Sequence, residues 1–339
     1  MRALVTGATG FIGAALCRGL LAAGYTVRAL RRPTSNMRLL EDLPVERVEG
    51  DLTQPESLDA AMQDVQVVFH AAAMLGDDHD AGRLYAVTVE GSRSVFLAAR
   101  QAGVQRVVLT SSAAALGVPQ GGPLAGTVRS GMDENHTWNY PPQSWPYAYA
   151  KYLSELEAQR AVAAGLDVVT VNPTLVMGAG DIYRHNTSLV VQVAQRKLPA
   201  LVEGGLNVVH VADVVAGHLA ALERGRRGER YLLAGDNLTL VELVKKIAAV
   251  AGVEPPGVVL PDGVARRLAL PASWFSQYLT LHSAVLALRM AGRLFYVDGR
   301  KASVELRLGP PRPADEAIRE AYDYFVSVGA ISARSQPVS

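Results

Sequence analysis

Arg2-Ala-Leu-Val-Thr-Gly7-Ala-Thr-Gly10-Phe-Ile-Gly13 stands at the head of the chain, and its reading decides the fold. Arg2 to Thr6 reads as a short buried strand running into a glycine-rich turn, and Phe11 to Ala23 reads as the helix that follows. A strand, a turn and a helix start gather unpaired backbone N–H groups and the positive end of the helix dipole at one point, which suits a phosphate. Gly7 permits the tight turn, Gly10 lets the backbone approach a ligand, and Gly13 lets helix and strand pack closely. The spacing is Gly-x-x-Gly-x-x-Gly, not the Gly-x-Gly-x-x-Gly of the standard dinucleotide fingerprint. Three glycines alone serve equally well as a structural turn. Their place between the first strand and the first helix favours a cofactor pyrophosphate, with Phe11 and Ile12 beside it.

Beyond this turn, strands and helices alternate. Thr26 to Leu30, Glu46 to Glu49, Val65 to Phe69, Arg106 to Thr110 and Asp167 to Val171 read as strands, separated by helices at Ser57 to Met62, Leu84 to Gln101 and Tyr147 to Ala164. This alternation predicts an α/β fold: a doubly wound parallel sheet of Rossmann type, with the ligand at the carboxyl ends of the strands. After Asn172-Pro173 the pattern breaks into proline- and glycine-punctuated pieces, among them a strand at Val208 to Val211 and helices near Asp213 to Leu222 and Leu240 to Ala251. The expected organisation is a cofactor domain over 1–172, a smaller C-terminal α/β substrate domain over 173–330 with later segments free to return to the first, and a flexible tail over 331–339.

With 339 residues, 49% of them hydrophobic, the chain can bury a large core. A formal net charge of +1 with interspersed acids and bases offers no basic face, so nucleic acid is not an expected partner. Cys17, the only cysteine, excludes an intrachain disulfide and reads as a packing residue. No charged leader precedes the first strand and no run of ~18 apolar residues lacks charges, so a cytoplasmic protein without a membrane span is expected. Val264 to Phe295 is apolar but interrupted by Arg266, Arg267, His282, Arg289 and Arg293, and reads as an amphipathic helix pair covering the pocket.

The second strand bears on the cofactor. An acid at its end would accept hydrogen bonds from an adenine ribose, whereas arginine accommodates a 2′-phosphate. Here the strand ends Leu30-Arg31-Arg32, and Arg38 follows. Three guanidiniums are available to a doubly charged phosphate, which points to NADP(H); a solvated basic loop is the alternative. Gly50-Asp51-Leu52 either sets a carboxylate on the adenine amino group or is a surface turn. Phe69-His70-Ala71-Ala72-Ala73 supplies small residues where backbone passes close to a ligand, and His70 by itself reads as a packed histidine.

The candidate chemistry lies in Tyr147-Ala-Tyr-Ala-Lys151 and in Thr110-Ser111-Ser112 at the end of the fifth strand. Tyrosine and lysine four residues apart share a helix face. A neighbouring ammonium and an oxidised nicotinamide would favour the phenolate over its ordinary pKa of ~10, so that Tyr147 could donate or accept a proton near neutral pH. A Ser112 hydroxyl would hold the substrate oxygen, and Lys151 the nicotinamide ribose. The loop from Ala113 to Pro146 carries His136, Trp138, Tyr140 and Trp145, which either line the pocket or anchor the loop. No metal site is expected.

The stretches TGATGFIG, GDL, FHAAA, VEGS, LTSSA, YAYAK, NPT and HVADV, spread over almost the whole chain, resemble the extended short-chain dehydrogenase/reductases of the NAD(P)-dependent epimerase/dehydratase superfamily. Within them the chain is most similar to the dihydroflavonol-reductase-like branch, close to hopanoid-associated sugar epimerase-like proteins. The resemblance implies NADP(H), a Ser112, Tyr147 and Lys151 triad, and cofactor contacts extending through Ala71 to Ala73 and Pro173. With the two long helices, it also implies a homodimer. The usual Asn-Val-x-Gly-Thr reads Thr88-Val89-Glu90-Gly91-Ser92, so a customary asparagine is missing. Val-Tyr-Gly reads Ala115-Leu116-Gly117, which predicts a more apolar pocket wall. Sugar-nucleotide epimerases of the family usually carry Arg-Asp where this chain has Leu206-Asn207, and the 4,6-dehydratases an Asp-Glu where it has Ala113-Ala114. The expected activity is therefore NADPH-dependent reduction, or reverse dehydrogenation, of a ketone or aldehyde on a small, mainly hydrophobic molecule. Sugar-nucleotide epimerisation or dehydration is the alternative, and a cofactor-binding regulator without chemistry is disfavoured by the assembled triad.

Overall fold

The computed structural model describes residues 1–74, 81–120, 131–182, 188–265, 267 and 290–332. In chain order the strands are β1 (Arg2–Thr6), β2 (Thr26–Arg31), β3 (Glu46–Glu49), β4 (Val67–His70), β5 (Arg106–Thr110), β6 (Val168–Pro173), β7 (Leu175–Met177), β8 (Leu201–Val202), β9 (Gly205–His210), β10 (Arg230–Leu233), β11 (Asp236–Thr239), β12 (Val259–Leu260) and β13 (Leu294–Phe295). The helices that matter below are α1 (Phe11–Ala22), α2 (Leu58–Met62), α3 (Ala81–Tyr85), α4 (Gly91–Gln101), α5 (Pro146–Ala163), α6 (Ser188–Ala194), α7 (Val211–Arg224) and α8 (Leu240–Ala251).

Seven strands form one parallel sheet in the order β10-β6-β5-β4-β1-β2-β3. The chain winds outward from β1 through β2 and β3, then crosses back to lay β4 on the other side of β1. That reversal opens a crevice beyond the carboxyl ends of β1 and β4, where ligands bind in sheets of this kind. Successive strand residues face opposite sides of the sheet, and both sides are covered. Val5, Val67, Phe69 and Val108 pack with α1 and α7 on one face. Leu4, Val68, Val107 and Leu109 pack with α2, α4 and α5 on the other. This two-sided burial is why the central strands β1, β4 and β5 read as mainly apolar runs, whereas the edge strand β3 is largely exposed.

Beyond β6 a smaller sheet forms around β9, which pairs antiparallel with β11 and parallel with β7 and β13. Its core joins residues of α6, α8 and the helix Ala314–Ser327, and α8 begins with a capping box in which Thr239 and Glu242 satisfy each other's backbone N–H. β10 rejoins the large sheet after this departure.

Several element boundaries differ from the sequence reading, among them the strand read as Val208 to Val211, which is Gly205–His210 with Val211 already in α7, and two further differences have a visible cause. The fourth strand is Val67–His70, because Asp64 takes a positive φ of 58° and Val65 is used to close the turn after α2. The long helix expected over Leu84 to Gln101 is interrupted by a π turn, Ala86–Glu90. Leu97 on α4 and Leu156 on α5 remain 45% and 38% exposed, so the sheet does not consume all the apolar surface of these two helices. Cys17 is fully buried, and that burial pushes its thiol up to about 12, as befits a packing residue. No described helix is long and apolar enough to cross a membrane. Most of the segment read as an amphipathic helix pair, and the tail from 333, lie outside the described residues.

The glycine turn is tighter than its spacing suggested. A Cβ on Gly13 would stand 2.0 Å from the Gly7 carbonyl oxygen, and one on Gly7 would stand 2.6 Å from the Ala72 backbone nitrogen, where φ is already +68°. At Gly10 the same atom would meet only the Gly7 carbonyl oxygen, at 3.3 Å. Gly13→Ala is therefore expected to cost about 3 kcal/mol of stability and Gly10→Ala about 1 kcal/mol or less. Urea denaturation of the two variants beside the parent checks the ranking, and an equal or reversed order would contradict it.

Candidate active site

The crevice is the mouth of a cavity of about 920 Å³ that runs from the glycine turn to the small sheet. Gly7, Gly10, Phe11, Ile12 and Gly13 line its first end together with Ala71, Ala72 and Ala73, which follow β4. The fit to a pyrophosphate rests on two observations. α1 starts at Gly10 without a side-chain cap, leaving its first N–H groups for a ligand, and space opens beside Gly10. The backbone of Ala71 and Ala72 lies directly against Gly7, so main chain packs closely on this side of the cavity.

The candidate 2′-phosphate arginines separate in space. Arg31 lines the cavity but its guanidinium pairs with Glu49 on β3. Arg32 lines the cavity beside Ser35, whose hydroxyl accepts the Arg32 backbone N–H at 3.0 Å. Arg38 opens the short 3₁₀ turn Arg38–Leu40 and is not among the lining residues. Asp51 and Leu52 line the same end. Partial burial raises the Asp51 carboxyl, but hydrogen bonds from the Thr53 N–H and hydroxyl, with the charges of Arg32 and Arg83, outweigh it and hold the group below its ordinary range.

Ser112, Tyr147, Lys151 and Pro173 meet in the middle of the cavity. Ser112 caps a short turn, accepting the Ala114 N–H at 3.2 Å. Burial pushes the Tyr147 phenol up, and a hydrogen bond with the Ser112 side chain pulls partly back. Lys151 is buried and turned to β5, where Nζ donates to the Thr110 carbonyl at 2.9 Å. Tyr147 is thus a neutral phenol here, a proton donor. Burial lowers Lys151 to about 8, while the negative charge of Glu155 works in the opposite direction.

Glu155 was not singled out from the sequence, although it lies one turn after Lys151 on the same helix. It is a buried carboxylate that accepts from the Ser111 hydroxyl at 2.5 Å, from Asn172 Nδ2 at 2.6 Å and from Arg230 Nη1 at 3.1 Å. Asn172 also donates to the Ser112 carbonyl at 3.0 Å. Arg230 reaches the carbonyls of Glu134 and His136, so the loop over the site is tied to the same carboxylate.

Other residues of the sequence reading are structural. His70 is fully buried between Thr6, at 2.7 Å from Nδ1, and Ser92, at 3.0 Å from Nε2; burial first and the Lys151 charge second lower it to about 3. Thr88, in the π turn, accepts the Met74 N–H at 3.2 Å and so supports the segment beside the cofactor end where a longer asparagine is customary. Leu116 does not line the wall. It is fully buried with Met132, Leu232 and Val297, and the wall is built from Ala113, Ala114, Met132 and Val297. Of the loop aromatics, Trp145 lines the cavity, whereas Trp138 packs on Tyr149 and Tyr152. His210, Glu316 and Glu320 cluster away from the cavity, but His210 Nδ1 accepts the Ala212 N–H, so a neutral ring carries its proton on Nε2 and has no lone pair there for a metal.

A Lys151 titration follows from this geometry. The ammonium is expected to lose its proton near pH 8, and Glu155→Gln, by removing the charge that favours it, is expected to move the midpoint lower. Nuclear magnetic resonance of ¹³C-labelled lysine side chains reads this directly; an unmoved or raised midpoint in the variant would count against the coupling.

Comparison with known proteins places the site in context. Residues 3–234 match the model of the NAD dependent epimerase/dehydratase family. The chain is 37% identical over 275 residues to sterol demethylase protein B of Methylococcus capsulatus, covering 80% of each chain. It is 30% identical to the 4-hydroxy-2-methyl-3-oxo-4-farnesyl-3,4-dihydroquinoline-1-oxide ketoreductase of Stigmatella aurantiaca, over 90% of this chain and 88% of that one. The crystal structure of a nucleoside-diphosphate-sugar epimerase from Pseudomonas aeruginosa superposes with a TM-score of 0.80 at 28% identity, covering 98% of this chain and 99% of that one.

Proposed function

Because the chain belongs to the NAD dependent epimerase/dehydratase family, we propose that it is an NADPH-dependent reductase of a ketone or aldehyde on a mainly hydrophobic small molecule. The observation that carries this reading is the wall around Tyr147. Met132, Trp145, Leu175, Leu206, Phe295 and Val297 line that part of the cavity. At the positions where sugar-nucleotide epimerases of the family place Arg-Asp, Leu206 is apolar. Asn207 is saturated: its Oδ1 accepts from Thr174 and Gly235, and its Nδ2 donates to Gly235 and Asn237. A diphosphate buried here would find no charge partner from either residue, which makes its desolvation costly. The ketoreductase relative, whose name describes a farnesylated ketone, supports the same substrate class.

The bound nicotinamide would supply the hydride that reduces the carbonyl carbon. Tyr147 passes its phenolic proton to the carbonyl oxygen as negative charge develops there, and the Ser112 hydroxyl holds that oxygen in place. Lys151 stays fixed on the Thr110 carbonyl, where its ammonium favours the phenolate left behind and would hold the nicotinamide ribose. The buried Glu155 network keeps serine and lysine in register.

Two outcomes are expected. NADPH oxidation will depend on added aliphatic or aromatic ketones and aldehydes, and Tyr147→Phe will lower turnover by on the order of 10²–10⁴-fold while leaving NADPH binding within a few-fold. Conversion of UDP- or dTDP-hexoses without any carbonyl-dependent oxidation would overturn the reading in favour of an epimerase. For the cofactor, Arg32→Ala is expected to weaken NADPH about 10- to 100-fold with NADH unchanged, and Arg38→Ala to leave both unchanged. Fluorescence titration decides this, and tighter binding of NADH to the parent would sink the NADPH preference.

A further inference from the structure

Arg293 stands at the far end of the cavity from the cofactor turn, among the residues that line it. Its backbone is pinned to the small sheet: its carbonyl accepts the Gly205 N–H at 3.0 Å, and its N–H donates to Met290 at 3.2 Å. The guanidinium lies over the Tyr140 ring, 5.5 Å from the centroid. Among the described residues no hydrogen-bond acceptor engages its N–H groups, so the contact with the ring leaves them available to a ligand. Among the described residues no carboxylate pairs with it, whereas Arg31, at the cofactor end, is neutralised by Glu49. Leu206, Leu240, Phe295 and Val202 line this end of the cavity beside Glu203, a mostly apolar setting in which an unpaired guanidinium gains from an anion.

We propose that Arg293 binds a carboxylate carried by the substrate, so that the molecule reduced at Tyr147 is an apolar oxo acid with its acid group at the far end. The inference rests on the reductase reading and narrows it. A carboxylate matches the fork of a guanidinium bidentately and brings one negative charge to one positive charge. A diphosphate brings more charge than a single arginine neutralises, and Glu203, an acid lining the same end with its carboxylate accepting the Asp262 N–H at 3.1 Å, opposes the excess. Tyr140, which lies under the guanidinium, belongs to the loop whose Glu134 and His136 carbonyls are held by Arg230.

The test separates this site from the activity. Calorimetric titration of the full chain, loaded with NADP⁺, uses decanoate, decanol and UDP as probes. Decanoate should bind at least tenfold more tightly than decanol; Arg293→Met should weaken decanoate by on the order of 10- to 100-fold with decanol unchanged, and Arg293→Lys should recover part of the loss. Unchanged thermal melting and NADPH affinity in the methionine variant show that it folds. Equal binding of decanoate and decanol by the parent, insensitivity of decanoate to Arg293→Met, or arginine-dependent binding of UDP tighter than that of decanoate would each overturn the proposal. A panel of oxo-fatty acids and their methyl esters then reads turnover. Arginine-dependent carboxylate binding with no NADPH oxidation by any carbonyl compound would fault the reductase reading and leave the anion site standing. Turnover with equal kcat/KM for acids and esters throughout would fault the anion site alone.

Discussion

The buried carboxylate of Glu155 constrains the whole catalytic region. A charge taken out of water must be met by donors, and here they come from Ser111 just past β5, Asn172 on β6 and Arg230 on β10, while Arg230 also donates to carbonyls of the loop over the cavity. Losing one partner of such a pair typically costs about 3–5 kcal/mol, because the other is left buried and unmatched. Ser112, Lys151 and the loop wall are therefore fixed relative to one another by a single group that itself lines no part of the cavity. The apolar sheet alone would not do this, since hydrophobic burial is non-directional and tolerates sliding and rotation that a three-donor carboxylate does not.

Much of this was legible in the sequence because local signals and tertiary role coincided. The first glycine turn is a contiguous stretch, and two of its three glycines, Gly7 and Gly13, are demanded by contacts within it or with Ala72. Tyr147 and Lys151 were legible because helical spacing brings them together. The central strands were legible because burial on two faces leaves mostly apolar residues in β1, β4 and β5. What stayed hidden depends on pairs distant in the chain: Glu155 with Arg230, Asn172 with the Ser112 carbonyl, and Thr88 with Met74. Nothing in the residue types announces which buried acid meets which base. Leu116 shows the converse error, since a position two residues from the wall can face away from it.

The π turn at Ala86–Glu90 belongs with these hidden features. It widens the helix by one residue where Thr88 turns inward to Met74, and Ser92 then bonds back to the Thr88 carbonyl at 2.6 Å while also meeting His70. A short hydroxyl thus supports the segment after β4, with His70 as a neutral wedge whose full burial keeps it out of proton traffic.

Asn207 carries a further implication for how such chains diverge. Its amide joins β9 to the turn before β11, giving two hydrogens and taking two, and Gly235 beside it has no room even for a Cβ, which would lie 2.2 Å from the Val208 carbonyl oxygen. An aspartate there keeps the acceptors but turns an oxygen toward the Gly235 carbonyl and the Asn237 amide oxygen, where the asparagine offered hydrogens. Grafting the Arg-Asp pair of the sugar-nucleotide enzymes onto this scaffold would therefore unseat a joint of the fold. The specialisation acts as a ratchet: the position once free to meet a ligand has been recruited as masonry, and a return path must first rebuild the wall around it.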